Sequence, residues 1–411
     1  MRSILTPLVS PLVVPFVSHH RRNLYRQNLY RPLNRIEISA RAYENNLRIL
    51  AHHTKKRVIP VLKSNAYGHG LEEVGKIVDK LGIELAAVDS FQEAMRLRAS
   101  GVKTRSLITG AIRPELLRRP WFGISGFPIR ALALDLAVSS LELSLIAVEH
   151  QPQIGLHLFI DTGMCREGVS MNELRTWLRA FRRLPQARLK GVMSHLSDAD
   201  RAEGRSFTIA QRKRFAEAVQ IVQEEGFSPS VIHLDASAGA MGIETRKHST
   251  HVRVGLASYG YAPMDAPVQK QLQSVARVMS CIVQIKELPI GSEIGYGRTA
   301  KVSRKTRIGL LPIGYADGVP RELSNLGMVR IISKHRNKQS TQYAPILGRV
   351  SMNLTTIDLS AVFCELWDEV EVIGWNRDTS NGLLTIAKQT RLLPYELLIH
   401  LNSEMRREVV T

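Results

Sequence analysis

The sequence predicts an α/β fold, a (β/α)8 barrel followed by a mainly antiparallel β domain. Three observations predict it. Strand-like runs alternate with helical stretches over residues 34–270, the pattern of a parallel sheet. From residue 271 onward the helical period fades, and short Val- and Ile-rich runs separated by Gly and Pro take over. The chain has 411 residues, enough for a barrel with an appended domain and for a core without covalent staples. Three segments are therefore expected: a basic leader at 1–33, a barrel at 34–270 and a β domain at 271–411.

The leader carries Arg2, Arg21, Arg22, Arg26 and Arg31 and no acid. Pro7, Pro11 and Pro15 interrupt its apolar run, which argues against a long helix. No A-x-A-like cleavage site closes that run, so a secretory signal is weakly supported. The leader is set apart from the fold, and a transit-like or disordered role stays open. Ile36-Glu37-Ile38 alternates as a short strand, and a helix is expected over Ala42–Ile49. Val58–Leu62 reads as a short buried strand and Leu71–Leu81 as a helix. Further barrel strands are expected at Leu85–Val88, Ser106–Thr109, Leu132–Ala137, Leu156–Asp161, Leu189–His195 and Val231–Leu234. Seven or eight such units fit a (β/α)8 barrel. In the β domain, strands are expected at Val275–Ile285, Arg307–Leu311, Met328–Ile332, Ile346–Val350, Thr355–Leu359 and Glu369–Ile373. A helical tail begins at Leu384.

The composition, 44% hydrophobic and 23% charged, is that of an ordinary globular protein. Cys165, Cys281 and Cys364 are too few and too scattered for a disulfide framework or a C-x-x-C metal site, so no metal is expected. No run of 18 apolar residues occurs, which excludes a spanning helix and a membrane partner of that kind. The net charge of +19 would suit an anionic ligand or partner. No zinc-finger spacing, RNA-binding signature or aromatic-interleaved basic stripe accompanies it, so no nucleic-acid partner is expected.

Chemistry enters at the end of the strand Val58–Leu62. Reactive groups of a barrel stand at the carboxyl ends of its strands. Lys63 occupies such an end, where a lysine can form an imine with a carbonyl compound. Tyr67, Gly68 and Gly70 follow it, a hydroxyl and two positions of close backbone approach suited to a phosphate. The octapeptide Lys63-Ser64-Asn65-Ala66-Tyr67-Gly68-His69-Gly70 resembles the cofactor-lysine motif of the alanine racemases. Five more stretches resemble that family's motifs in the same order. They are Asp161–Arg166, Arg253–Leu256 with Ser258–Tyr261, Gly295–Thr299, Gly314–Gly318 and Gly348–Met352. The resemblance runs from about Arg35 to about Arg407.

The resemblance implies pyridoxal 5′-phosphate as cofactor, L- and D-alanine as substrates and a homodimer with active sites at its interface. It implies Lys63 as the imine-forming residue and the base for the D-isomer. Tyr296 is implied as the base for the L-isomer, supplied across the dimer interface. His195 is implied beside that tyrosine, and Arg253 at the pyridine nitrogen. Phosphate binding falls to Tyr67, Ser237, the N–H groups of Gly255 and Leu256, and Tyr395. Arg166 and the Met352 backbone are implied as the holders of the substrate carboxylate. The pocket, walled by Tyr296, Met352 and Tyr395, is expected to favour a methyl side chain.

The sequence departs from the family pattern at several points. Many members carry a lysine, carbamylated, where this chain has Phe159. An Asn-Ser pair becomes Ala236-Ser237, and an acid becomes Asn353. Cys165 stands at a variable place and receives no role. The function expected is interconversion of L- and D-alanine in the cytoplasm, supplying D-alanine for peptidoglycan. A broad-specificity amino-acid racemase and a non-catalytic cofactor-binding paralogue remain open. A decarboxylase of the same barrel fold is disfavoured, because its glycine-rich phosphate loop is missing.

Overall fold

A computed structural model describes residues 32–118, 133–184, 188–242, 248–262, 266–332 and 342–411. Apart from Pro32 and Leu33, the expected leader lies outside the described residues, as does the first residue of the strand expected at Leu132. Strand β1, Arg35–Ser39, is followed by helix Ala40–Thr54, whose start is capped by Ser39: its Oγ accepts the Ala42 N–H at 3.1 Å. The barrel strands then come in order: β2 Arg57–Pro60, β3 Leu85–Val88, β4 Arg105–Ile108, β5 Leu134–Val138 and β6 Gly155–Asp161. A two-residue strand β7, Val169–Ser170, pairs with β6. β8 Leu189–Met193, β9 Val231–His233 and β10 His251–Val254 complete the set.

Neighbours pair in parallel in the order β2-β10-β9-β8-β6-β5-β4-β3. Beyond β2, a parallel bridge between Val61 and Ala87 links the two ends of this sheet, so eight strands form a nearly closed barrel. Parallel strands need crossover connections, and helices such as Leu71–Lys80, Phe91–Ala99 and Arg205–Glu224 supply them. Part of the barrel interior is apolar, through Ile59, Leu85, Ala87, Leu107 and Val231. It also holds buried Asp135, His157, His233 and Arg253, which serve the site described below.

The rest of the chain adds β11 Ala276–Cys281, β12 Gln284–Leu288, β13 Glu293–Ile294, β14 Ala300–Lys301 and β15 Thr306–Leu311. β16 Met328–Ile332, β17 Gln342–Pro345, β18 Thr355–Asp358, β19 Glu369–Ile373 and β20 Arg406–Val410 follow. They form a six-stranded sheet β17-β16-β19-β11-β1-β20, a three-stranded sheet β12-β15-β18 and the hairpin β13-β14. All pairs are antiparallel except β1 with β20.

Several expected elements differ in the structure. β1 forms, but it pairs with β11 and β20, not with a barrel strand. The run Val275–Ile285 is two strands in two sheets. The chain changes sheet at Ile282 and Val283, whose N–H groups donate to Asp368 and Leu310. Ile346–Val350 is not a strand: Ile346 makes one bridge, and Gly348 at φ +74° turns the chain away. The helical tail is two helices, Leu383–Thr390 and Pro394–Ile399, ending in β20.

Candidate active site

The carboxyl ends of the barrel strands open into a cavity of about 870 Å³. Of the residues singled out in the sequence, Lys63, Tyr67, Arg166, His195, Ser237, Arg253, Gly255, Leu256 and Tyr395 line it together. Phe159 and Ala236 line it as well. Tyr296 and Met352 do not. They stand on the surface of the chain, 71% and 55% exposed.

Lys63 opens a turn of unusual hand. Ser64, Asn65, Ala66 and Tyr67 all have φ between 53° and 55°, four consecutive non-glycine residues in the left-handed region. Such a conformation costs roughly 1–2 kcal/mol per residue, so the surroundings must hold it. Glu93 accepts the Asn65 N–H at 3.2 Å, and Asn65 Oδ1 accepts the Leu71 N–H at 3.0 Å. Buried His69 lies stacked on Tyr259, and its Nδ1 reaches the carbonyls of Ala66 and Tyr67 at 3.1 and 3.0 Å. Burial lowers the His69 pKa to about 4, so the ring is neutral near pH 7. From the far end of the chain, Arg407 donates twice to the Gly68 carbonyl, at 2.9 and 3.3 Å.

Tyr67 brings its hydroxyl against Gly255. A Cβ on Gly255 would lie 2.3 Å from Tyr67 Oη, so only glycine permits this approach. Burial, with Tyr395 nearby, pushes the Tyr67 hydroxyl up to about 12 and keeps it a proton donor. Leu256 begins the 3-10 turn Leu256–Tyr259, and Ser237 begins the helix Ser237–Met241. Ser237 Oγ accepts the Ala257 N–H at 3.2 Å, joining the two turns. The leading N–H groups of such turns have no acceptor within the turn and suit an anion.

Arg253 stands on β10, buried among acceptors. Its Nη1 donates to His233 Nδ1 at 2.7 Å and to the His233 carbonyl at 3.0 Å. Its Nη2 donates to the carbonyls of Ser194 and Leu234 and to His195 Nδ1 at 3.1 Å. Its Nε–H makes no hydrogen bond among the described residues, and Arg253 is one of the residues that line the cavity. Burial lowers its pKa to about 10, which still leaves the guanidinium charged near neutrality. The His195 pKa falls to about 3, first through burial and then through the charges of Arg253, Arg166 and Lys63. A neutral His195 that accepts at Nδ1 carries its proton on Nε2.

Behind Arg253 runs a chain of buried groups absent from the sequence-based expectation. Because an arginine can only donate, His233 Nδ1 accepts, and its Nε2–H donates to His157 Nδ1 at 2.9 Å. His157 Nε2–H then donates to Asp135 at 3.3 Å. Asp135 is fully buried and also paired with Lys190 at 2.7 Å and Arg105 at 3.0 Å. A sequence signal for this chain does exist. His157 and His233 interrupt apolar strand cores, and a buried polar group requires a partner.

The two motifs that carry Tyr296 and Met352 interlock away from the cavity. Asn325 donates to Thr299 through Nδ2, and its Oδ1 accepts the Gly348 N–H at 2.6 Å. Tyr315 and Ala316 N–H groups donate to the carbonyls of Ser351 and Met352 at 3.1 and 2.9 Å. The Met352 N–H makes no hydrogen bond among the described residues. Those residues hold no cluster of metal-ligating groups, and none of their helices is long and apolar enough to cross a membrane.

A lysine, a histidine and an arginine gathered in one cavity where barrel strands end, in a chain that also carries antiparallel sheets, are the marks of a barrel enzyme. Residues 38–263 match the family model of the alanine racemase N-terminal domain, and residues 275–409 that of the C-terminal domain. The alanine racemase of Sorangium cellulosum is 32% identical over 384 residues, covering 91% of this chain and 98% of its own. That of Aquifex pyrophilus is 32% identical over 378 residues, with the same two coverages of 91% and 98%. The crystal structure of alanine racemase from Oenococcus oeni superposes with a TM-score of 0.77 at 26% identity, over 92% of this chain and 98% of that one. The chain belongs to the alanine racemase family, and its activity is that of an isomerase acting on alanine.

Proposed function

We propose that this chain racemises alanine with pyridoxal 5′-phosphate by a two-base mechanism, using Lys63 of one subunit and Tyr296 of another. The observation that carries the reading is the joint placement of Lys63, Arg253 and the Tyr67–Gly255 contact around one cavity. The residues fit the cofactor. Arg253 keeps one donor, Nε–H, for a ring nitrogen. Tyr67, Ser237, Gly255, Leu256 and Tyr395 offer hydroxyls and amides to a phosphate.

When bound, the cofactor supplies an electron sink that acidifies the Cα proton of a linked amino acid. The Lys63 amine anchors it and moves the proton on one face. Tyr296 Oη moves the proton on the other face. Tyr296 is exposed and lies off the cavity of its own chain, which suits a residue delivered to a partner's site in a homodimer. Met352, on the loop that abuts the Tyr296 loop, is delivered the same way, and its N–H, without a hydrogen bond among the described residues, suits the substrate carboxylate. Arg166 presents the second carboxylate contact from within the cavity. Arg253, charged and tethered by five acceptors, leaves the ring nitrogen unprotonated and so limits side reactions of a free carbanion. His195, held neutral, presents its Nε2–H for an oxygen such as that of Tyr296.

The product suits supply of D-alanine for peptidoglycan, and the cytoplasm provides both cofactor and L-alanine. In the test, purified protein with pyridoxal phosphate should show a band near 420 nm that borohydride abolishes, and should convert L-alanine to D-alanine detected with a D-amino acid oxidase. Absence of D-alanine above the blank would refute the proposal.

A further inference from the structure

The proposed mechanism leaves the carboxylates of the cavity, Asp89, Glu167 and Asp200, unused. Glu167 lines the same cavity as Lys63 and His195, and it follows directly after Arg166. The loop carrying both is anchored at each end on β6. Asp161 Oδ1 accepts the N–H groups of Gly163 and Cys165, at 2.8 and 3.1 Å. Gly168, at φ +123°, sits so near the backbone of β6 that a Cβ would lie 2.5 Å from the Asp161 nitrogen. The backbone therefore has little freedom, and the side-chain pair determines where the guanidinium points.

That pair is a fork. Arg166 Nε and Nη2 donate to the two carboxylate oxygens of Glu167, the second at 2.6 Å. The Nη1 group makes no hydrogen bond among the described residues. A guanidinium gripped along its Nε–Nη2 side still offers Nη1–H and the second Nη2–H at its tip, two parallel donors matched to another carboxylate. The Arg166 side chain is 57% exposed, so without this grip it would sample many rotamers. The β6 wall gives no alternative anion at Phe159, which is buried and apolar. The negative charge of Glu167 also reaches Arg253, where it favours the charged form.

We infer that Glu167 is a positioning residue for the substrate carboxylate: it holds the Arg166 guanidinium side-on so that the tip faces the cavity. The inference rests on the proposed racemase reading, in which Arg166 binds that carboxylate. It assigns Glu167 to ground-state and transition-state binding alike, so the effect of its loss appears in KM.

The test uses the holoenzyme and its Glu167→Gln and Glu167→Asp variants. KM for L- and D-alanine would be measured, together with the inhibition constant of propionate, which has the carboxylate and methyl carbon but no amine. In Glu167→Gln, both KM values and the propionate constant should rise about tenfold, the loss of one oriented charge-assisted contact. The kcat should stay within about threefold, and the 420 nm band should be kept. Glu167→Asp should recover part of the affinity. Unchanged or lowered KM and propionate constants in Glu167→Gln would overturn the inference. A variant that loses the 420 nm band would overturn it as well, by assigning Glu167 to cofactor retention. Failure of the unmodified holoenzyme to racemise alanine would instead sink the racemase reading, and propionate binding would still report on Glu167.

Discussion

Gly255 shows how a single missing methyl group shapes the cavity. The atoms an added Cβ would meet first are all those of the Tyr67 ring and hydroxyl, and its φ/ψ of −101°/−96° lies outside the regions favoured by residues with a side chain. Gly255→Ala should force the hydroxyl away and weaken pyridoxal phosphate binding about 5- to 150-fold, the equivalent of about 1–3 kcal/mol of overpacking. A titration followed at 420 nm would measure this, and an unchanged dissociation constant would contradict the close approach. At this scale the sequence was informative through its likeness to a family, inside the motifs and at a few positions between them. Lys63, Tyr67, Arg166, His195, Ser237, Arg253, Gly255, Leu256 and Tyr395 were all readable, and the fold brings them to one cavity. His157, His233, Asp135 and Asn325 were not. Their roles arise from contacts between residues 22 to 76 positions apart, which no local pattern records.

Among the elements, the left-handed turn Ser64–Tyr67 is the least expected from its sequence. Nothing in Ser-Asn-Ala-Tyr demands positive φ except, weakly, Asn65. The conformation is imposed by His69, Glu93 and Arg407, and Gly68 makes room for the Leu398 carbonyl, which an added Cβ would approach to 1.9 Å. Arg407→Ala should therefore loosen a turn more than three hundred residues away in sequence. The expected outcome is a stability loss of about 1–3 kcal/mol, from the carbonyls left without their donor, and weaker retention of the cofactor. Thermal melting of the variant, with and without added pyridoxal phosphate, measures both. β10 illustrates the opposite kind of difficulty. His-Val-Arg-Val carries too much charge to read as a buried strand, and only the acceptors around Arg253 make its burial tolerable.

For the whole molecule, two expectations follow. The first concerns acid. His195 and His69 are neutral in the folded chain, with pKa values lowered to about 3 and about 4, against an ordinary value near 6.5 when unfolded. Between those limits the unfolded chain binds more protons. Stability is fully present above about pH 6.5 and declines as pH falls toward 4, with a slope of up to about 1.4 kcal/mol per pH unit for each histidine. Melting temperatures recorded from pH 7 down to pH 4 should fall steadily, and a flat profile would contradict this account of the buried rings. The second concerns assembly. If Tyr296 serves a partner's cavity, Lys63→Ala and Tyr296→Phe proteins should each be inactive yet complement one another. Equal mixing with subunit exchange yields half heterodimers, each with one intact site, so about a quarter of the normal activity should return. No recovery after verified exchange would place both groups in the same chain. The barrel-then-sheet layout was readable because the period of apolar residues changes near residue 270. The placement of β1 was not, since an isolated alternating strand carries no mark of its partners.

That strand has a temporal consequence. Arg35–Ser39 is synthesised before the whole barrel, yet it is hydrogen-bonded on one side to 276–281 and on the other to 406–410. Its last neighbour leaves the ribosome only after every other strand of the sheet. The six-stranded sheet cannot be finished until 406–410 has emerged, whatever the barrel does meanwhile. A nascent chain arrested before 406–410 emerges should therefore leave one edge of Arg35–Ser39 open to protease and to strand-seeking chaperones. A chain released beyond residue 410 would cover it.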